Sequence, residues 1–215
     1  MATDTQQLIE SLARGLKPVR RHAVLRRVLL GMLGGGVITL ALVVAVLGVR
    51  HDLPAALHGF SFWMKWVYTL SVGAAAVFAV SRLARPTGHS LRPLWPVAVP
   101  VLLLAGIGIG ELARTPSREW LAMWLGHSWR VCPWLVLGLS VPIFAGLLWS
   151  FRRLAPTRAR AAGAAAGLAA GAWGAMLYCL HCPEVSAVFV LTWYSLGIAL
   201  AAAAGALLGP KLLRW

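Results

Sequence analysis

The residues equipped for chemistry in this chain are few and lie in two short segments. Tyr178-Cys179-Leu180-His181-Cys182-Pro183-Glu184 holds two thiols, an imidazole and a carboxylate within seven positions. The third cysteine, Cys132, follows His127 and Glu119 in a segment of its own. Three chemistries fit these side chains. Cys132 and Cys182 can join in a disulfide, given an oxidising compartment and α-carbons within about 7 Å of each other. Cys132 and Cys182, with His181 and His127, can hold a soft metal, because thiolate and imidazole suit zinc, cadmium or copper(I). Cys179-Leu180-His181-Cys182 also has the C-x-x-C redox pattern, in which a neighbouring histidine favours the thiolate. Set against these, Cys179 fits equally well as a small apolar helix residue.

The elements that position these groups are hydrophobic. Of 215 residues, 60% are hydrophobic and 12% charged, against roughly 25% charged in soluble domains. A bilayer core of about 30 Å takes about 20 apolar residues per helix. Six stretches meet that length: Val28–Val49, Phe62–Ser81, Leu94–Leu112, Val131–Ser150, Ala161–Leu180 and Val185–Leu208. The expected fold is an all-α membrane bundle of six transmembrane helices with short loops. Residues 1–27 form a separate polar tail, and residues 28–215 the transmembrane domain. The first apolar stretch is too long for the core of a cleavable signal, so it is expected to stay as a membrane helix.

Charge sets the expected orientation. The chain carries a net +14, and its basic residues gather at one side of the predicted bundle. Fifteen Lys and Arg fall in the tail, the second and fourth loops and the end of the chain; Arg50, Lys65, Arg114, Arg118 and Arg130 fall on the other side. The positive-inside rule places both termini in the cytoplasm. Anionic lipid headgroups account for the basicity, with no direct nucleic-acid partner. All three cysteines then gather at the outer face.

Small residues recur at helical spacing in several stretches: Gly163, Gly167, Gly171 and Ala175; Gly31 and Gly35; Gly106 and Gly110; Gly205 and Gly209. Such rows allow close helix approach, and packing within the monomer is the expected use. Lys65 and Glu111 lie near the outer ends of stretches. A charge inside a membrane stretch is a functional candidate by default, but so close to the boundary a side chain such as lysine reaches the headgroups, and that is the expected use. No acid or base falls at mid-membrane, so no transport path is expected.

In the tail, Leu8, Ile9, Leu12, Leu16 and Val19 recur at helical spacing and mark one apolar face. Asp4 or Thr5 is the expected cap and Pro18 the expected stop, with Arg20 and Arg21 following. A short amphipathic helix of this kind lies on a membrane or docks into a protein groove. Its weakly basic polar face favours the groove.

Leu8-Ile9-Glu10-Ser11-Leu12-Ala13 with Leu16-Lys17-Pro18-Val19-Arg20-Arg21 resembles the amino-terminal signature of the NrsF-type membrane anti-sigma factors. So do Leu180-His181-Cys182-Pro183-Glu184, the following Trp193-Tyr194 and Gly197, the six stretches and the closing Leu212-Leu213-Arg214-Trp215. The resemblance implies a non-enzymatic bacterial inner-membrane protein, in contact with the lipid bilayer. It would hold an extracytoplasmic-function sigma factor through the tail (Leu8, Ile9, Leu12, Leu16, Val19, Arg20 and Arg21). It would release that factor when outer-face thiols, Cys132 and Cys182, sense metal or oxidative stress. Cys179 departs from the expected pair. No resident cofactor is implied, only a transient soft metal ion at the cysteines. The alternative reading is a membrane thiol–disulfide oxidoreductase passing electrons from Cys179 and Cys182 to a quinone. It lacks a second cysteine pair as relay and leaves the tail unexplained.

Overall fold

The computed structural model of the chain describes residues 2–14, 23–83, 92–151 and 158–213. Six helices are long and apolar enough to cross a membrane: Val24–Leu47, Phe60–Leu83, Leu94–Arg114, Cys132–Phe151, Ala159–Tyr178 and Ala187–Leu212, here spans 1 to 6. Each end lies within about one helical turn of the sequence-based boundary. There is no strand among the described residues. A chain this apolar must satisfy its backbone groups internally, and a helix does so within each segment.

Span 5 is the axis of the bundle. Its hydrophobic window is 72% buried, against 17% for span 3, and it packs along spans 6, 2 and 4. Only alanine and glycine allow so many neighbours at short range. Gly163 lies against the Gly205 carbonyl and Gly209, Gly167 against Ala201, and Gly171 against Ile198. A methyl group at Gly163 would overlap the Gly205 backbone. Gly31 and Gly35 of span 1 similarly meet Gly146 and the Pro142–Ile143 backbone of span 4. Thr39 donates to the Leu139 carbonyl (3.0 Å) and Ser150 to the Arg27 carbonyl (2.8 Å), tying the same two helices together. These rows pack within the monomer as expected. The Gly106 and Gly110 row does not, since each faces open space on the least buried span.

Two π-helical segments occur, Val43–Leu47 at the end of span 1 and Val190–Tyr194 within span 6. Such segments are rare in helices and frequent at functional sites. Both lie toward the end of the bundle that carries the cysteines.

The amino-terminal helix runs from Ala2 to Arg14. It begins before Asp4 and Thr5, so both lie inside it instead of capping it. Leu8 and Ile9 are each 59% exposed. Leu12 is within the helix, but its side chain lies outside the described residues, as do Leu16, Pro18, Val19, Arg20 and Arg21.

Candidate functional site

Cys132 is the first residue of span 4, Cys179 directly follows span 5, and Cys182 is one turn further on. The helical pattern runs on past Tyr178: the Cys179 amide bonds to the Ala175 carbonyl (3.1 Å) and the Cys182 amide to the Tyr178 carbonyl (3.0 Å). Residues three apart on such a turn share a face. Cys179 and Cys182 therefore enter one apolar cluster, where they join Cys132, Tyr178, Phe189 and Tyr194. All three thiols are unlinked and have 0% exposure. The sequence reading set them at an open face; the structure covers them. The Tyr178 and Tyr194 rings pack 5.6 Å apart. The fully buried Tyr194 hydroxyl lies beside Cys182 and makes no hydrogen bond of ordinary geometry.

The segment between spans 3 and 4 packs against this cluster through Trp129, and the Glu184 carboxylate holds it. Glu184 Oε1 accepts from the His127 amide (2.7 Å), the Ser128 amide (3.0 Å) and the Ser128 hydroxyl (3.1 Å). Gly126, with φ at +53°, brings the backbone close enough that a Cβ there would strike the Glu184 carboxyl group and the Phe189 ring. A tryptophan cluster joins the same segment to span 6. Trp193 Nε1 donates to the Trp124 carbonyl (2.8 Å). The Trp193 ring lies 5.5 Å from Trp124 and 5.4 Å from Trp129.

Three further charged side chains fix the turn after span 5. Glu111 Oε2 accepts from the Ser186 hydroxyl (3.0 Å) and the Ala187 amide (2.8 Å), capping the start of span 6. A carboxylate at a helix amino terminus satisfies orphan amides and meets the positive end of the helix dipole. Arg50 gives its amide to the Leu180 carbonyl (3.0 Å) and Nη1 to the Cys182 carbonyl (3.3 Å), while Asp52 takes two guanidinium bonds (2.7 and 2.6 Å). That bidentate pairing holds the Asp52 carboxyl down to about 2 and raises Arg50 further. Lys65 Nζ donates to the carbonyls of Cys182 (2.9 Å) and Glu184 (2.7 Å) with 0% exposure.

Lys65 and Glu111 therefore do not reach outward to headgroups, as their place near span ends suggested. Each turns inward because the turn offers unpaired backbone groups that water cannot reach, and a buried unpaired polar group is costly. Sequence reasoning missed Arg50, which lies just past the first stretch and gave no signal there. It undervalued the other two, whose signal was an ionisable residue within a membrane stretch, a functional candidate by default.

The proposed metal donors do not converge. The His127 side chain is 99% exposed, and His181 Nδ1 is engaged with the Gly48 carbonyl at 2.9 Å. Among the described residues no three His, Cys, Asp or Glu side chains are arranged to hold a metal ion. What the structure does gather is the three thiols.

Comparison with known proteins gives consistent matches. The model of a family described as "Negative regulator of sigma F" matches residues 12–215. A protein of Azospira oryzae named "Probable anti-sigma-F factor NrsF" is 42% identical over 211 residues, covering 98% of this chain and 99% of its own length. The "Anti-sigma-F factor NrsF" of Caulobacter vibrioides is 41% identical over 216 residues, with the same coverage of both chains. No solved structure matches.

Proposed function

The chain belongs to the NrsF family of negative regulators of sigma F, and on that premise we propose that it is a membrane anti-sigma factor for an extracytoplasmic-function sigma factor. It lies in a bacterial inner membrane with both termini in the cytoplasm, holds the sigma factor through its amino-terminal helix, and releases it when the cysteine cluster senses an oxidant or a soft metal ion. The observation that carries this reading is the exposed Leu8 and Ile9 face of that helix, on a chain that anti-sigma relatives match from end to end. An exposed apolar face on a short helix suits docking into a protein groove. The fifteen-to-five division of basic residues supports the orientation.

The sensing step acts on Cys132 and Cys182, with Cys179 as a third thiol in the same cluster. Oxidation would join two thiols, passing two electrons and two protons to the oxidant. A soft metal ion would instead displace thiol protons. Either change alters the packing of span 4 against the turn before span 6. Turning a 99:1 preference for the bound form into 1:99 takes about 5.5 kcal/mol. A disulfide contributes typically about 2–4 kcal/mol, so the link and the repacking it forces supply the order of energy needed.

The test is affinity capture of the tagged full chain from solubilised membranes of its host. A small sigma factor should co-purify, and should be lost when Leu8, Ile9 and Leu12 are changed to glutamate while the membrane domain still accumulates. Capture that survives those substitutions, or the absence of any sigma factor, would sink the reading. Cys132→Ser and Cys182→Ser variants that still release the sigma factor on exposure to diamide or cadmium would remove the thiol-sensing part alone.

A further inference from the structure

Two charged side chains are buried among the described residues, Lys65 and Glu184. Glu184 accepts three hydrogen bonds through one carboxylate oxygen from the segment between spans 3 and 4. Among the described residues Lys65 makes no ion pair, and the carboxylates at this end of the bundle meet other donors. Glu111 caps span 6, Glu184 turns to residues 127 and 128, and Asp52 is gripped by Arg50. The ammonium spends its donors on the carbonyls of Cys182 and Glu184, which flank Pro183 on either side. A buried cation without a partner charge is a costly arrangement that an apolar side chain of similar size would avoid. It is accounted for where it fixes one geometry among several, and here the geometry is that of the turn bearing Cys182.

The geometry points to Lys65 as the positioning residue that ties the Cys182 turn to span 2, so that the turn opens to a thiol reagent only by pulling a buried ammonium away from two carbonyls. Span 2 packs along the central span 5, and its own helix is braced next to the lysine by Thr69, whose hydroxyl donates to the Lys65 carbonyl at 2.8 Å. Rotation of the turn is therefore felt in span 2, whose far end, Arg82–Leu83, lies at the opposite side of the bundle. The inference rests on reading Cys182 as a sensing thiol, but its structural content is testable without a sigma factor.

The experiment uses the full chain in native membranes, in three versions that each keep one cysteine and carry serine at the other two. Each is reacted with a polyethylene-glycol maleimide, and the rate is read by gel shift. Two bonds from a charged donor are lost in Lys65→Met, each stronger than a neutral bond. Labelling of Cys182 should rise by on the order of tenfold or more, while Cys132 and Cys179 keep their slow rates. Lys65→Gln, which retains an amide donor, should fall between wild type and Lys65→Met; if the methionine variant fails to accumulate, a several-fold rise at Cys182 alone in Lys65→Gln carries the test. Unchanged Cys182 labelling would overturn the proposal, and so would equal opening of all three cysteines, which marks a general loss of packing. Should Cys182 open as expected while captured sigma factor stays bound under diamide, the latch stands and the sensing reading fails. Should capture behave as expected while Cys182 labelling ignores Lys65, the latch fails and the anti-sigma reading stands.

Discussion

Glu184→Gln isolates what the charge contributes to holding the segment between spans 3 and 4, since the substitution keeps the size of the side chain. Glu184 Oε1 accepts three hydrogen bonds at 2.7, 3.0 and 3.1 Å, and the side chain is only 9% exposed. Bonds to a charged group are worth about 1.5–3 kcal/mol each, against about 0.5–1.5 for neutral ones. A glutamine oxygen can keep two of the three as neutral bonds; three charged bonds are worth at least about 4.5 kcal/mol and two neutral ones at most about 3, so the net loss is at least about 1.5 kcal/mol. At about 1.4 kcal/mol per tenfold, that is a rise of at least about tenfold in local opening of this segment. Alanine at the same position would orphan all three donors and cost about 3–5 kcal/mol. Amide hydrogen exchange on the purified chain reads this directly. The peptide covering residues 126–132 should exchange at least about tenfold faster in Glu184→Gln, and faster again in Glu184→Ala. Peptides from span 5 should be unchanged. No acceleration at 126–132, or the same acceleration throughout the chain, would refute the idea that this carboxylate pins the segment.

The glycine rows and the Arg50–Asp52 pair give two further tests. Gly163→Ala should destabilise the solubilised chain by about 1–3 kcal/mol, because the new methyl meets backbone of span 6 that cannot move aside; Gly34→Ala, in open space on span 1, should be neutral or stabilising by up to about 1 kcal/mol. Thermal unfolding in one detergent compares them, and a shared sign would contradict the packing described. Asp52 has a lowered folded value of about 2, so its pairing contributes fully above about pH 4, the ordinary aspartate range, and is lost as pH falls through about 2. The infrared carboxylate band that disappears in Asp52→Asn should titrate near 2, whereas a midpoint near 4 would mean that Arg50 does not hold it.

Much of the bundle was legible because membrane helices announce themselves by length and composition. The six spans came within a turn of their boundaries. The Gly163, Gly167 and Gly171 row correctly pointed to close packing, because only small residues let two backbones approach. The Gly106 and Gly110 row has the same spacing and packs against nothing, since spacing identifies a face without naming its neighbour. The amino-terminal helix was visible from Leu8, Ile9 and Leu12, while its start was misjudged, because Asp4 and Thr5 favour a cap and also tolerate a first turn.

The sequence by itself determined that this chain is built of long apolar helices with its thiols and most of its few acids gathered toward one end, and its family follows from the same residues. Only the tertiary structure decided what those groups do to one another. It buried the thiols and tied the span 3–4 segment to the turn beside them, divided Glu111 and Glu184 between two sets of backbone donors, and left Lys65 with carbonyls in place of a carboxylate. The physical reason is that apolar length is a property of each segment alone. The partner of a charge is set by which backbone groups remain unsatisfied once six helices have packed, and those groups are brought together from positions between 56 and 119 residues apart.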